Sequence, residues 1–239
     1  MLSRDSFGIK IFADGADVKG MQEMYNLGYV SGFTTNPSLM YKAGVTDYAL
    51  FASSIANEIT DLPLSFEVFS DDFSTMEEEA RKITSWGSNV YVKIPVTNSK
   101  GDSSSSLIRK LTLDGLQINV TAILTIDQVK TTLDCLTPGV NSIISVFAGR
   151  IADTGVDPMP IMRETAELCR EVESAQSLWA STREVLNIFQ AQECGVDIIT
   201  VTNDILAKLD NIGKDLTLFS LETVQMFFND AMSLGFTIS

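Results

Sequence analysis

The stretch NVYVKIPVT (residues 89–97) is a nearly continuous apolar run that contains one lysine, and a polar loop and a helical pattern from Leu107 to Leu113 follow it. Such a strand is typical of a parallel sheet, because both faces of each strand are buried there. Eight such units in 239 residues predict one α/β domain, a (β/α)8 TIM barrel. The eight apolar runs, each followed by a helical pattern, are GIKIFA (8–13), YVSGF (29–33), LSFEV (64–68), NVYVKI (89–94), QINVT (117–121), SIISVF (142–147), SLWAS (177–181) and VDIITV (196–201).

An additional amphipathic segment follows the eighth unit. We expect a single domain over residues 1–239, with the barrel in residues 1–211 and a C-terminal helical arm in residues 212–239. Residues 216–235 carry the helical pattern of this arm. The helix either docks on its own barrel or packs on a neighbouring subunit. The second arrangement is slightly favoured, because eight units already close a barrel.

The composition excludes several classes of function. A net charge of −14 disfavours nucleic acids and anionic membranes as partners, because neutralising phosphates needs clustered Lys and Arg. There is no targeting leader and no apolar run long enough to span a bilayer, so a cytoplasmic protein is expected. The three cysteines show neither metal-site nor disulfide spacing, which is typical of a reducing compartment.

The chain contains no histidine. This excludes a Ser-His-Asp triad, a Cys-His dyad and a His-ligated zinc, including the zinc of one class of aldol enzymes. Acid–base chemistry must therefore come from Asp, Glu, Lys, Tyr or water. No metal and no organic cofactor is expected.

Active sites of (β/α)8 barrels lie at the C-terminal ends of the strands. Seven of the eight predicted strands carry chemically useful side chains at that end, and the eighth shows none. We therefore predict one site at this rim of the barrel. In strand order the candidates are Asp14; Thr34 and Asn36; Glu67; Lys93; Asn119 and Thr121; Ser145, Phe147 and Arg150; and Ser181 and Arg183.

Lys93 is the least ordinary of these residues. A lysine inside an apolar strand is desolvated, which favours the neutral amine that forms an imine with a carbonyl substrate. The plain alternative is a lysine that extends its ammonium group to solvent. Asp14 and Glu67 on nearby strands favour the imine, although both carboxylates could instead form ion pairs with Lys93 or Arg150.

Arg150, Ser181 and Arg183 are the candidates for an anion site. Arginine offers a planar fork that suits phosphate, and Ser181 precedes a predicted helix whose N–H groups favour anions. The alternative for Ser181 is a capping box over residues 181–184, which is compatible with anion binding. The alternative for the two arginines is a surface position.

Five motifs together resemble those of a known family. They are TTNPS (34–38), VKIPVT (92–97), NVT (119–121), FAGR (147–150) and ASTR (180–183). Their order resembles that of the transaldolase family, in the short subgroup that also holds fructose-6-phosphate aldolases. The chain departs from that pattern in the loop NSKGDSSSS (98–106) and at Thr182, where a bulky apolar residue is usual.

The resemblance implies a class I mechanism that needs no cofactor. It moves a dihydroxyacetone unit from a ketose phosphate such as fructose 6-phosphate to an aldose phosphate such as erythrose 4-phosphate. It also implies a homo-oligomer, such as a decamer of pentamers. The implied roles are Schiff base for Lys93; proton transfer for Asp14; acid and base through a water for Glu67, with Thr121 positioning that water; substrate binding for Thr34, Asn36, Asn119, Ser145 and Phe147; and phosphate binding for Arg150, Ser181 and Arg183.

Two positions separate the branches of this family. The resemblance implies Glu and Phe in true transaldolases, and Gln and Tyr in the aldolases. The residues here are Glu67 and Phe147, which predicts a transaldolase. The alternatives are a fructose-6-phosphate aldolase that releases dihydroxyacetone, and a non-catalytic barrel that binds sugar phosphates.

Overall fold

Eight parallel strands close into a barrel. The structure is a computed structural model that describes residues 6–235. Each strand pairs with the next in chain order, and the eighth pairs with the first. Helices separate the strands, so the predicted (β/α)8 TIM barrel is confirmed. The strands are β1 Lys10–Asp14, β2 Gly32–Thr34, β3 Leu64–Glu67, β4 Val90–Pro95, β5 Ile118–Ile123, β6 Ser142–Val146, β7 Ala175–Trp179 and β8 Ile198–Thr202.

The helices up to residue 206 surround the barrel, and each contributes buried residues to its core. None of the helices within residues 6–235 is long and apolar enough to cross a membrane. The helices are α1 Val18–Leu27, α2 Pro37–Ala43, α3 Tyr48–Glu58, α4 Phe73–Thr84, α5 Ser105–Leu113, α6 Ile126–Leu133, α7 Ala148–Ala152, α8 Met159–Arg170, α9 Leu186–Glu193, α10 Asn203–Leu206 and α11 Leu216–Leu234, with a short 3-10 helix at Leu209–Asn211.

The start of α2 brings polar groups close to the barrel rim. The Asn36 side chain accepts a hydrogen bond from the Leu39 N–H and so caps the helix. Pro37 occupies the first helical position, where a missing N–H costs nothing. Because β2 ends at Thr34, the helix begins immediately above the strand, and Asn36 stays at the rim.

Apolar side chains fill the barrel below the site. Phe12, Tyr91, Ile143 and Leu178 are buried and belong to one packed cluster. The Phe12 ring lies so close to Gly32 that a Cβ at Gly32 would approach it to 2.6 Å. A glycine on β2 therefore makes room for the aromatic ring, and the barrel is a filled core rather than a channel.

The α11 helix belongs to a second compact unit, which begins at Ala207. Asp215 caps its N-terminus, and Gly235 ends it in the left-handed conformation. None of its residues is buried, and Leu216, Phe227 and Phe228 are each more than 60% exposed. The helix predicted for residues 216–235 is thus present, and its packing on another subunit stays a prediction.

Candidate active site

The C-terminal ends of the strands surround a cavity of about 530 Å³. Every predicted site residue except Asn119 lines it. The structure therefore brings together side chains from seven strands and the loops that follow them. The predicted residues on the cavity wall are Asp14, Thr34, Asn36, Glu67, Lys93, Thr121, Ser145, Phe147, Arg150, Ser181 and Arg183.

Lys93 lies in the middle of β4 and is only 7% exposed. The parallel register places it beside Glu67 on β3 and Asn119 on β5, so the three side chains share one level of the barrel. Its Nζ atom donates a hydrogen bond of 2.7 Å to the carbonyl of Thr35. The same atom lies 3.5 Å from Glu67 Oε2. The amine is therefore held inside the barrel and does not extend to solvent.

Asp14 ends β1 on the same cavity wall. Its carboxylate accepts hydrogen bonds from Thr34 Oγ1 at 3.0 Å and from Asn36 Nδ2 at 3.2 Å. Burial raises the pKa of Asp14 above its usual value, although the nearby Lys93 and the two donors oppose the rise. A carboxyl group with a raised pKa exchanges protons more readily near neutral pH.

Glu67 and Thr121 each present a buried oxygen to the cavity. Neither Glu67 Oε2 nor Thr121 Oγ1 hydrogen-bonds to any protein group within residues 6–235. The β5–β6 register shifts between Val120 and Ile123, and Ala122 between them has a φ of 63°. This irregularity interrupts the regular pairing of β5 with β6 just after Thr121. The two oxygens are available to a water molecule or a substrate hydroxyl.

Asn119 lies beneath the cavity wall. It is fully buried, and its side chain bridges two serines. Its Oδ1 atom accepts from Ser145 Oγ at 2.6 Å, and its Nδ2 donates to Ser65 Oγ at 3.1 Å. In this arrangement Asn119 reaches the cavity through Ser145.

The predicted anion site lies on the segments that follow β6 and β7. The Arg150 guanidinium lies over the Phe147 ring, 5.7 Å from its centroid. Arg183 donates to both oxygens of Asp153, through Nε at 3.1 Å and Nη2 at 2.5 Å. These bonds lower the pKa of Asp153. Asp153 thus fixes the orientation of one arginine of the site.

Ser181 adopts a conformation that its sequence context did not predict. Its φ is 62°, in the left-handed region, and a Cβ at Gly149 would lie 1.6 Å from its carbonyl oxygen. The predicted capping box over residues 181–184 is wrong, because α9 begins at Leu186. The Asn187 side chain instead accepts from the N–H groups of residues 183 and 184. A glycine at 149 therefore permits the backbone turn that points Ser181 at the cavity.

Three polar residues of the cavity, Thr200, Lys42 and Ser38, were not among the predicted site residues. Thr200 comes from β8, so the expectation that the eighth strand contributes none is wrong. Its hydroxyl lies 2.5 Å from that of Thr34. Lys42 comes from α2, four residues after Ser38, and both line the cavity. The spacing of four residues on a helix was the available signal for Lys42.

A (β/α)8 barrel with a buried lysine beside two carboxyl groups defines an enzyme-like site that combines an amine with proton donors and acceptors. The comparison with protein families identifies the family to which the chain belongs. Residues 11–238 match the family described as Transaldolase/Fructose-6-phosphate aldolase. The chain belongs to this family, and the resemblance drawn from its motifs is confirmed.

Curated relatives carry the same assignment. A probable transaldolase of Dehalococcoides mccartyi is 32% identical over 202 residues, which cover 84% of this chain and 90% of that protein. A probable transaldolase of Thermoplasma volcanium is 35% identical over 204 residues, covering 84% of this chain and 87% of that protein. These names support a transaldolase-type enzyme.

Solved structures with little sequence identity share the fold. The 3-hexulose-6-phosphate synthase of Salmonella typhimurium has a TM-score of 0.60 and 14% identity, over 86% of this chain and 94% of that one. The dihydrodipicolinate synthase of Rhodopseudomonas palustris has a TM-score of 0.59 and 13% identity, over 98% of this chain and 82% of that one. At this identity, the likeness shows the barrel alone.

Proposed function

We propose that this protein is a transaldolase that transfers a dihydroxyacetone unit from a ketose phosphate to an aldose phosphate through a Schiff base on Lys93. The observation that carries the proposal is the buried Lys93 amine, 3.5 Å from Glu67 and on the same cavity wall as Asp14. A barrel that only bound sugar phosphates would gain nothing from burying an amine among carboxyl groups.

The first chemical stage forms the imine. The Lys93 amine attacks the ketone carbon of a donor such as fructose 6-phosphate and gives a carbinolamine. This intermediate loses its hydroxyl as water, and a protonated imine remains. A water held between Glu67 Oε2 and Thr121 Oγ1 delivers the proton to the leaving hydroxyl, because both oxygens lack a protein hydrogen-bond partner among the described residues.

The second stage breaks the carbon–carbon bond. Asp14 takes the proton from the hydroxyl on the carbon beyond the bond that breaks. The electron pair of that bond moves into the protonated imine, which becomes an enamine, and an aldose phosphate leaves. The iminium is the electron sink of this step, so the proposed chemistry needs no metal and no organic cofactor.

The third stage makes the new bond. The enamine carbon attacks the aldehyde of an acceptor such as erythrose 4-phosphate, and Asp14 returns its proton to the new alkoxide. Water then hydrolyses the imine and frees Lys93. Arg150, Arg183 and Ser181 hold the phosphate of donor and acceptor, since their charges and hydroxyl suit an anion.

A transfer assay tests the proposal. Wild-type protein with fructose 6-phosphate and erythrose 4-phosphate is expected to form a seven-carbon ketose phosphate, and Lys93→Met is expected to form none. The matched control is Lys130→Met, since Lys130 lies on α6 and pairs with Glu164 at the surface. Transfer that survives in Lys93→Met, or that is absent from the wild type, contradicts the proposal.

A further inference from the structure

The ladder between β2 and β3 stops next to the catalytic residues. The Phe33 N–H donates to the Pro63 carbonyl, and the Thr35 N–H donates to the Ser65 carbonyl. In a parallel pair with this register, the next rung would join the Glu67 N–H to the Thr35 carbonyl. The structure does not form this rung.

The following rung cannot form at all. In the same register, the Glu67 carbonyl would accept from the N–H of residue 37. That residue is Pro37, which has no N–H to donate. The strand end therefore leaves both backbone polar groups of Glu67 in need of another partner, since an unpaired backbone group at a buried position is unfavourable.

The Tyr48 hydroxyl supplies both partners. It accepts from the Glu67 N–H at 2.7 Å and donates to the Glu67 carbonyl at 3.0 Å. The Thr35 carbonyl is thereby left for a different donor, and it accepts from Lys93 Nζ at 2.7 Å. Tyr48 on α3 thus satisfies the backbone of Glu67, and the Thr35 carbonyl can accept the hydrogen bond that holds the Lys93 amine.

Aromatic packing holds Tyr48 in this place. Its ring makes edge contacts with Phe69, Trp86 and Phe66, with centroids 4.5, 5.7 and 6.4 Å away. Burial raises the pKa of Tyr48 above its ordinary value. The hydroxyl therefore keeps its proton at neutral pH and acts as donor and acceptor together.

We propose that Tyr48 is a positioning residue for the Schiff-base chemistry. Its hydroxyl replaces the two hydrogen bonds that β2 does not make to the backbone of Glu67, and the Thr35 carbonyl therefore remains available to accept from Lys93. The kinetic part of this inference rests on the proposed function. The structural part concerns only where the amine is held, and it can be measured without substrate.

The variant Tyr48→Phe keeps the ring and removes the hydroxyl. Without the hydroxyl, the Glu67 N–H is expected to donate to the Thr35 carbonyl, which is its regular acceptor in the parallel pairing. It then competes with Lys93 for this carbonyl. The distance from Lys93 Nζ to the Thr35 carbonyl oxygen is 2.7 Å in the wild type. A crystal structure of Tyr48→Phe is expected to show this distance lengthened beyond hydrogen-bonding range, and a crystal structure of the wild type is expected to keep it. With fructose 6-phosphate, kcat and the rate of borohydride-trapped imine formation should each fall about tenfold, while KM stays within about twofold.

Two controls separate the hydroxyl from the packing. Trp86→Phe disturbs the same ring cluster and keeps the hydroxyl, and Tyr41→Phe removes a hydroxyl from a side chain that is 88% exposed. Both are expected to keep kcat within about twofold of the wild type. An intact Lys93–Thr35 contact in Tyr48→Phe, or an equal loss of kcat in Trp86→Phe, overturns the proposal. A wild type that traps no imine contradicts the proposed function, and the contact distance in Tyr48→Phe still decides the role of Tyr48.

Discussion

Replacing Thr121 by valine separates what its hydroxyl does for catalysis from what it does for stability. The side chain is 2% exposed, and within residues 6–235 no protein group hydrogen-bonds to its Oγ1 atom. The proposed water supplies the hydrogen-bond partner that the protein does not, and valine has nearly the same shape as threonine and suits a strand. We therefore expect the free energy of unfolding in urea to stay within about 0.5 kcal/mol of the wild-type value, because no hydrogen bond between protein groups is lost.

The same variant is expected to lose activity. The water between Glu67 and Thr121 loses one of its two partners, so kcat for transfer should fall about tenfold, which is ~1.4 kcal/mol of activation free energy. Thr112→Val is the matched control, because the buried Thr112 hydroxyl donates to the carbonyls of Arg109 and Cys135 at 3.2 Å. It should lower stability by about 1 kcal/mol and leave transfer unchanged. Full activity in Thr121→Val would refute the role of this hydroxyl, and a loss of stability as large as that of Thr112→Val would show that the hydroxyl is structural.

Three other predictions follow from the site. Because burial raises the pKa of Asp14 in the folded state, the contribution of Asp14 to stability falls as pH rises above the ordinary value of 3.8. The Tm of Asp14→Asn relative to the wild type should therefore increase with pH above that value, and a constant difference contradicts this. Phe147→Tyr should raise the release of dihydroxyacetone in the absence of acceptor about tenfold, because the added hydroxyl brings water to an apolar wall of the cavity. Glu67→Gln should add to this increase. A wild type that releases dihydroxyacetone as fast as it transfers it would be an aldolase instead. Arg150→Ala and Arg183→Ala should each raise KM for phosphorylated sugars by about tenfold or more, and an equal rise for unphosphorylated sugars would make the arginines structural.

The barrel and most of its site were predictable from sequence because two strong regularities coincide. Near-continuous apolar runs separated by helical patterns define parallel strands, and parallel strands all end at the same rim. Lys93 and Glu67 stand out since each is a charged residue near the C-terminal end of such a run. Their side-by-side placement then follows from the register of β3 and β4.

What sequence did not predict depends on backbone detail and on contacts between distant residues. Asn119 was placed at the cavity, yet its fully buried side chain bonds to Ser145 and Ser65 and does not line the cavity itself. The left-handed turn at Ser181 depends on Gly149, which lies on a different loop. Tyr48 acts from a helix through a broken rung of the β2–β3 ladder, and no local pattern marks such a role.

Borohydride trapping tests the central claim most directly, because it asks which amine carries the substrate. Two lysines line the cavity within the described residues, Lys93 and Lys42. After incubation with fructose 6-phosphate and reduction, peptide mass spectrometry is expected to find the three-carbon adduct on Lys93. A substrate-dependent adduct on Lys42, or no adduct in a protein that catalyses transfer, would contradict the account.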